Sequence, residues 1–163
     1  MPAPIALSGF NDQLELRKKN RATVEQYMRT NGKDRLRRHE LFTQDGSLAS
    51  CNTETGEPLE FKGQAKLAAL GAWVEKCFPD WQFHNVRIFA TDNPNRFWVE
   101  SDARGKTRVP GYPEGYCENH YIHSFELDNG KISKSREFMN PFDQLRGLGI
   151  PVPKIKREGI PAS

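Results

Sequence analysis

The chain has 163 residues, which is long enough for one domain with its own hydrophobic core. Its formal net charge is +3, and 24 basic residues against 21 acidic residues do not give the strongly basic surface that a nucleic-acid partner requires. Hydrophobic residues make up 36% of the chain. No apolar run approaches the roughly 20 residues that span a bilayer, so we expect no contact with a membrane.

The three cysteines, Cys51, Cys77 and Cys117, are an odd number without the spacing of a metal site. They therefore predict reduced thiols in the cytoplasm and no bound metal. The chain is interpreted as a single domain, 1–163, with a loose arm at about 1–9 that lacks the basic region of a secretory signal. The tail at about 150–163 contains three prolines and is expected to be irregular.

Two helices are predicted before the strands begin. The first runs from about Asn11 to Thr30, and the second runs from Asp34 to Leu41. The second helix contains a basic cluster, Arg35, Arg37 and Arg38. This cluster is either a solvated helix face or a place where one arginine turns inward to bind an acidic ligand.

The stretch from Phe61 to Trp81 is predicted to be one helix, because its apolar residues recur at three- and four-residue spacing. The stripe consists of Leu67, Leu70, Gly71, Val74, Cys77 and Phe78. Pro79 ends the helix, since proline has no amide hydrogen to donate. Such a stripe must lie on another layer, and the second half of the chain supplies a sheet.

Strands are predicted on both sides of this helix. They are Ser47–Thr53 and Leu59–Phe61 before it, then Gln82–Ala90, Arg96–Ala103, Tyr116–Leu127 and Lys131–Asn140. Asp45-Gly46 is interpreted as a turn before the first strand, and a short helix is expected at Pro141–Leu148. The predicted fold class is α+β, with a curved, mostly antiparallel sheet wrapped around helices.

Alternation along the last two strands places polar groups on the inward face of the sheet. The inward faces contain Cys117, Asn119, Tyr121, His123, Phe125 and Leu127 in one strand and Ser133, Ser135, Glu137 and Met139 in the other. A carboxyl group inside a cone of sheet and helices loses hydration, which favours its protonated form, so Glu137 is the candidate general acid. The alternative is a register shifted by one residue, which would place Glu137 on the surface.

His120 and His123 have the spacing of a metal-binding pair at first sight. On a strand, residues three apart point to opposite faces, so the two imidazoles cannot bind one ion. A structural role is predicted for both side chains, with the alternative that His123 lines the pocket.

Several segments closely resemble the phenazine biosynthesis A/B proteins. They include NRATVEQYM, DRLRRHELFT, TGEPL, KCFPDW, NPNRFWVE, PGYPEGY, ENHYIHSFELDNGKI, REFMN and IPVPKIKREGIP, and they extend from about Asn20 to the end of the chain. The resemblance implies a small dimeric protein of the ketosteroid-isomerase/NTF2-like superfamily, a SnoaL-like cone of curved sheet and helices, without a cofactor.

The resemblance also implies a reaction. Two molecules of an amino-oxo-cyclohexene carboxylic acid, an aminoketone, condense head to tail, and two imines close the tricyclic phenazine precursor. By this resemblance Glu137, in REFMN, is the acid that expels water, and Arg38, in RLRRH, binds a substrate carboxylate. The other predicted substrate-binding residues are Leu70, Trp73, Val74, Cys117 and His123.

Three positions depart from the complete members that the chain resembles. Those members carry histidine where this chain has Leu70, serine where it has Val74 and tyrosine where it has Cys117. Leu70 and Val74 cannot donate a proton or hydrogen-bond a ketone. The pattern is similar to that of the A paralogue, which occurs beside a complete B paralogue.

Three functions are therefore open at the level of sequence. The protein is a weak condensing enzyme that acts through Glu137, or a non-catalytic paralogue that supports the B paralogue as a heterodimer, by binding product or by shielding an intermediate. The third alternative is a generic NTF2-like binder of small molecules, because one fold hosts many functions.

Overall fold

The computed structural model describes the backbone of residues 7–162 and the side chains of residues 12–162. The helices are α1 (Leu7–Arg29), α2 (Gln64–Cys77), α3 (Pro141–Gly147) and a 3₁₀ helix (Gly32–Leu41). The strands are β1 (Phe42–Ser50), β2 (Leu59–Lys62), β3 (Gln82–Ala90), β4 (Arg96–Thr107), β5 (Gly115–Asp128) and β6 (Lys131–Met139). The predicted arm lies outside the described residues, apart from 7–9, which begin α1.

The six strands of the described range form one sheet in the order β2-β1-β6-β5-β4-β3. Neighbouring strands are antiparallel, except that β1 and β6 are parallel. The predicted α+β class with a mostly antiparallel sheet is therefore confirmed. No helix of the described part is both long and apolar enough to cross a membrane.

The helix predicted from Phe61 to Trp81 is shorter in the structure. Phe61 belongs to β2, and α2 covers only Gln64–Cys77. Gly63 separates the two elements at a φ of 90°, a conformation that side chains with a Cβ rarely adopt. The predicted apolar stripe holds along α2, because Leu67 is buried and Val74 is half-buried on the inward side.

Strand β1 begins at Phe42, earlier than predicted, and it contains Asp45-Gly46. The prediction of a turn at these two residues is wrong. The pairing of β1 with β6 shifts register between Phe42 and Ser47, so the extra residues form an irregularity within the strand. A Cβ at Gly46 would lie 2.8 Å from the Ile132 carbonyl oxygen, which accounts for glycine at this close approach.

The core lies between the helices and the inward face of the sheet. Its main cluster joins α1 to the strands and includes Val24, Tyr27, Met28, Phe97, Val99, Phe125 and Ile132. A second cluster consists of Trp81, Ala103, Cys117 and Tyr121. A cavity is lined by members of both clusters, so the same residues that stabilise the fold also shape the site.

Candidate functional site

A cavity of about 820 Å³ opens between α2, the 3₁₀ helix and the inward face of the sheet. Its volume lies in the upper part of the range that ligand sites usually have, roughly 300–1,000 Å³. Six of the predicted site residues line it: Arg38, Leu70, Trp73, Val74, Cys117 and Glu137. His123 does not line it, and its place is described below.

Glu137 faces the cavity from β6, and 20% of its side chain is exposed. The inward register is supported by Ser135, two residues earlier, which is fully buried. The surface alternative for Glu137 is therefore wrong. The alternation fails only at Ser133, where the pairing with β5 shifts register and Ile132 is the fully buried residue instead.

Two tyrosines line the cavity with Glu137, and sequence reasoning did not include them in the site. Burial raises the pKa of Tyr27 to about 12, and the negative charge of Glu137 adds to the effect. Burial also raises the pKa of Tyr121 well above its ordinary value, again with a contribution from Glu137. Both phenols are therefore neutral near pH 7 and able to donate a hydrogen bond.

The sequence left open whether an arginine of the basic cluster turns inward. In the structure Arg35 does so, and it is 1% exposed. Its guanidinium donates to the carbonyl oxygens of Gly32, at 3.1 Å, and of Val74 and Phe78 at the end of α2. Burial, with a smaller effect from the charge of Arg38, lowers the pKa of Arg35 to about 10, so it is charged at neutral pH.

Arg38 reaches the cavity beside Tyr27. Its Cζ lies 4.6 Å from the centroid of the Tyr27 ring, and its Nε donates to Thr30 Oγ1 at 2.7 Å. Within the described residues the hydrogen bonds of Arg38 go to uncharged oxygens, whereas Arg37 pairs with Glu40 at 2.8 Å. The cavity wall therefore has a positive charge with capacity to bind an acidic ligand.

The wall that α2 contributes is mainly apolar, with Lys66 as its one charged side chain in the described lining. Leu70 packs against the main core cluster, and Val74 lies one turn further along the same face. Trp73 is 46% exposed and its ring meets the edge of Phe78 at 5.9 Å between centroids. This wall offers a ligand shape and a dry surface, and apart from Lys66 only the indole of Trp73 among these side chains can donate a hydrogen bond.

Cys117 lines the cavity from β5 as a neutral thiol. Burial raises its pKa to about 11, and the carboxylates of Asp143 and Glu118 add to the shift. Its Sγ lies 3.6 Å from the Asp143 carbonyl oxygen, and a Cβ at Gly147 would lie 2.6 Å from the Cys117 Cβ. The close contact with Gly147 leaves little room for a larger side chain in this arrangement of α3.

His123 and His120 lie on opposite faces of β5, as the strand alternation predicted. His120 is on the outer face, with Nδ1 2.7 Å from Asp102 Oδ1. His123 is fully buried, and its Nε2 lies 3.5 Å from Glu137 Oε2. The prediction that His123 contacts substrate therefore does not fit the structure, because the ring is packed against Tyr27 and Phe83 and does not line the cavity.

Comparison with known proteins gives consistent matches over the whole chain. A sequence model of the phenazine biosynthesis protein A/B family matches residues 1–162. The phenazine biosynthesis protein PhzA of Pseudomonas fluorescens is 81% identical over 163 residues, which is 100% of both chains. PhzB of the same species is 62% identical over 99% of this chain and 100% of the relative.

Solved structures support the fold. The crystal structure of a phenazine biosynthesis-related protein from Pseudomonas aeruginosa is 61% identical, with a TM-score of 0.92 over 94% of this chain and 99% of that chain. An NTF2-like protein from Anabaena variabilis, 17% identical, has a TM-score of 0.55 over 78% of this chain and 89% of that chain. The second match bears on the fold alone, and it agrees with the predicted NTF2-like class.

Proposed function

The chain belongs to the phenazine biosynthesis protein A/B family, and from this premise we propose that its cavity binds two aminoketone molecules and promotes their condensation to the tricyclic phenazine precursor. The observation that carries the proposal is the carboxyl group of Glu137, which faces the cavity from the sheet. The neutral phenols of Tyr27 and Tyr121 and the charge of Arg38 surround the same space.

The chemistry needs one acid that works twice. In each half-reaction the amine of one molecule adds to the ketone of the other and gives a carbinolamine. Protonated Glu137 delivers its proton to the carbinolamine hydroxyl, which leaves as water while the nitrogen lone pair forms the C=N bond. The nitrogen then returns a proton to the Glu137 carboxylate, so each imine releases one water and the acid is regenerated.

The cavity contributes orientation as well as acid. At about 820 Å³ it has room for more than one small ring, and an apolar wall on one side favours stacked rings. Holding two reactants in line converts an encounter in solution into a step within one complex. Arg38 supplies a fixed point for a carboxylate, so the ring that carries the carboxylate can be placed against Glu137.

Arg38→Met is expected to weaken the binding of a stable tricyclic carboxylic acid. Loss of a hydrogen bond to a charged group costs about 1.5–3 kcal/mol, which is roughly a ten- to hundred-fold rise in Kd. Isothermal titration calorimetry of phenazine-1-carboxylic acid with the wild-type and variant proteins measures this change in Kd.

Arg37→Met is the matched control, because Arg37 is exposed and pairs with Glu40 instead of the cavity. We expect its affinity to equal that of the wild type. Equal affinities for Arg38→Met and the wild type would show that Arg38 does not bind the carboxylate.

The apolar wall of α2 favours a second candidate, in which the protein is a non-catalytic paralogue. It would support the B paralogue as a heterodimer, or it would bind and shield the product. Co-expression with the B paralogue followed by native mass spectrometry separates the two candidates. Homodimers alone, with no effect of this protein on the yield of tricycle, would contradict the partner role.

Leu70→His combined with Val74→Ser is expected to raise the condensation rate by about ten-fold or more. The two changes give the α2 wall a proton donor and a hydrogen-bond donor, and one good transition-state contact contributes about 1.4 kcal/mol. Initial rates of tricycle formation from aminoketone generated in situ measure the effect.

The matched control places the same side chains on the solvent side of α2, as Ala65→His with Ala72→Ser. Both alanines are exposed and neither lines the cavity. We expect this control to keep the wild-type rate. If the Leu70 and Val74 variant is no faster than the control, the wall residues are not what limits the reaction.

We further propose a homodimer that forms through the outer face of the sheet. The face has exposed aromatic and aliphatic side chains on adjacent strands: Phe89 is 49% exposed, Trp98 39% and Ile122 43%. Phe89 and Trp98 are direct cross-strand partners, and so are Ile122 and Phe138. Ser124 and Glu100 interrupt this patch, but clustered exposed aromatic side chains of this kind on a folded domain still favour a protein interface.

Trp98→Glu is expected to shift the protein from dimer to monomer, because it replaces an apolar side chain of the patch by a charge. Sedimentation velocity at several concentrations measures the change. Tyr112→Glu is the control, since Tyr112 is 45% exposed in the loop between β4 and β5 and lies away from the patch. A Trp98→Glu variant that sediments as the wild type does would contradict an interface on this face.

The cytoplasmic location that the sequence predicted remains part of the proposal. Cys51, Cys77 and Cys117 are all free thiols in the structure. Burial raises the pKa of Cys51 and of Cys117, which keeps them in the unreactive thiol form. Three unpaired thiols suit a reducing compartment.

A further inference from the structure

His123 is a buried polar side chain without a hydrogen-bond partner. It is fully buried, and neither Nδ1 nor Nε2 has a partner among the described residues. A buried donor left unpaired destabilises the fold, and an apolar ring of similar size would avoid that cost. We therefore expect a hydrogen-bond acceptor close to the N–H of the imidazole.

Four aromatic rings fix the position of the imidazole. It stacks between Tyr121, at 5.5 Å and 12° between planes, and Phe125, at 5.8 Å and 14°. The edges of Phe83, at 5.2 Å, and Tyr27, at 6.2 Å, close the other sides. The ring cannot tilt far without displacing these neighbours, so its nitrogens point in fixed directions.

The acceptor in reach is the carboxyl group of Glu137. His123 and Glu137 are direct cross-strand partners in β5 and β6, a pairing that brings side chains on one face into contact. Nε2 lies 3.5 Å from Oε2, at the outer limit of a hydrogen bond. Catalytic hydrogen bonds are often long in the unliganded protein and shorten when substrate binds.

We propose that His123 is a positioning residue for Glu137, whose carboxylate accepts a hydrogen bond from the Nε2–H of His123. One carboxylate oxygen is then held by the imidazole while the other is left to face the cavity. The inference rests on the proposed role of Glu137 as the acid.

The bond has a chemical consequence for each turnover. When protonated Glu137 gives its proton to the carbinolamine hydroxyl, it becomes a carboxylate in a dry cavity. A donor on the far side of the carboxylate stabilises that charge until the imine nitrogen returns a proton. No proton needs to leave His123, and no other reactant is required.

Nitrogen NMR of the imidazole tests the bond without reference to activity. Protein labelled with ¹⁵N-histidine is compared as wild type, Glu137→Leu and His123→Phe, the last of which assigns the signal. We expect Nε2 of His123 to carry the proton and its shift to change when Glu137→Leu removes the acceptor. A proton on Nδ1 alone, or the same Nε2 shift in wild type and Glu137→Leu, overturns the proposal.

Kinetics test whether the bond matters for turnover. His123→Phe keeps a ring in the aromatic stack and removes the donor, and we expect kcat to fall by up to about a hundred-fold with KM unchanged. His123→Gln restores an amide N–H and should recover part of the loss. Ser135→Ala is the matched control. Like the His123 imidazole, the Ser135 hydroxyl is a fully buried polar group without a hydrogen-bond partner, and it lies on the inward face of β6.

The outcomes separate the two proposals. A wild-type kcat in His123→Phe overturns the positioning role, even if Glu137→Gln is inactive. An Nε2 proton that responds to Glu137→Leu supports the bond even if the protein proves to bind product without condensing substrate. Should His123→Phe fail to fold, His123→Gln assigns the signal in its place, and the NMR comparison of wild type with Glu137→Leu decides.

Discussion

Glu137→Gln is expected to slow tricycle formation by about a hundred- to ten-thousand-fold, the contribution that one acid–base group usually makes. Glutamine keeps the size of the side chain and an acceptor oxygen, but it has no acidic proton for the carbinolamine hydroxyl. Initial rates from aminoketone generated in situ, after subtraction of the rate in buffer, measure the loss.

Glu118→Gln is the control for this experiment. Glu118 is exposed on the outer face of β5, so its carboxyl group does not reach the cavity. We expect its rate to equal that of the wild type. If Glu137→Gln also forms tricycle at the wild-type rate, Glu137 is not the acid, and any acceleration comes from orientation alone.

Arg35→Met is expected to lower the free energy of unfolding by about 3 kcal/mol. Arg35 joins the 3₁₀ helix to the end of α2 by charge-assisted hydrogen bonds to the carbonyls of Val74 and Phe78, which also accept backbone N–H groups. Methionine fills a similar volume but removes the charged donor that ties these carbonyls to the 3₁₀ helix. Guanidinium denaturation at one protein concentration measures the change, since the proposed dimer would couple stability to concentration.

Arg37→Met is the control, and we expect it to change the free energy of unfolding by less than about 0.5 kcal/mol. Its guanidinium is exposed and pairs with Glu40 on the surface. The comparison isolates the buried bonds from the general loss of one positive charge. If the two variants were equally stable, the bonds of Arg35 to the end of α2 would have no net effect.

The inward face of the sheet could be predicted because a strand has a strict period of two. Cys117, Asn119, Tyr121 and His123 are all buried along β5, and the same rule places Glu137 in the cavity. The rule failed at Ser133 because a register shift is invisible in the sequence there. The shift places the buried residues Ile132 and Ser135 three positions apart instead of two.

The arginine cluster could not be resolved from sequence because the local helix is of the 3₁₀ type. In that geometry residues three apart lie on one side, so Arg35 and Arg38 both turn toward the cavity while Arg37 stays in solvent. Which of the two is buried depends on the close approach of α2. A Cβ at Gly71 would lie only 2.8 Å from the Arg35 carbonyl oxygen.

Tyr27 and Tyr121 were missed because they also fit an apolar core. Their rings belong to core clusters, and only the three-dimensional arrangement places the phenols at a cavity. A useful signal was present, since a buried tyrosine hydroxyl normally needs a polar partner. The Arg38 guanidinium lies over the Tyr27 ring, and the negative charge of Glu137 contributes to the raised pKa of both tyrosines.

The most direct measurement is the initial rate of tricycle formation at increasing concentrations of wild-type protein, with aminoketone generated in situ. We expect the rate to rise above that in buffer in proportion to the protein. We also expect a stable tricyclic carboxylic acid that occupies the cavity to suppress it. A rate equal to that in buffer at every protein concentration would contradict catalysis in the cavity that Glu137 lines.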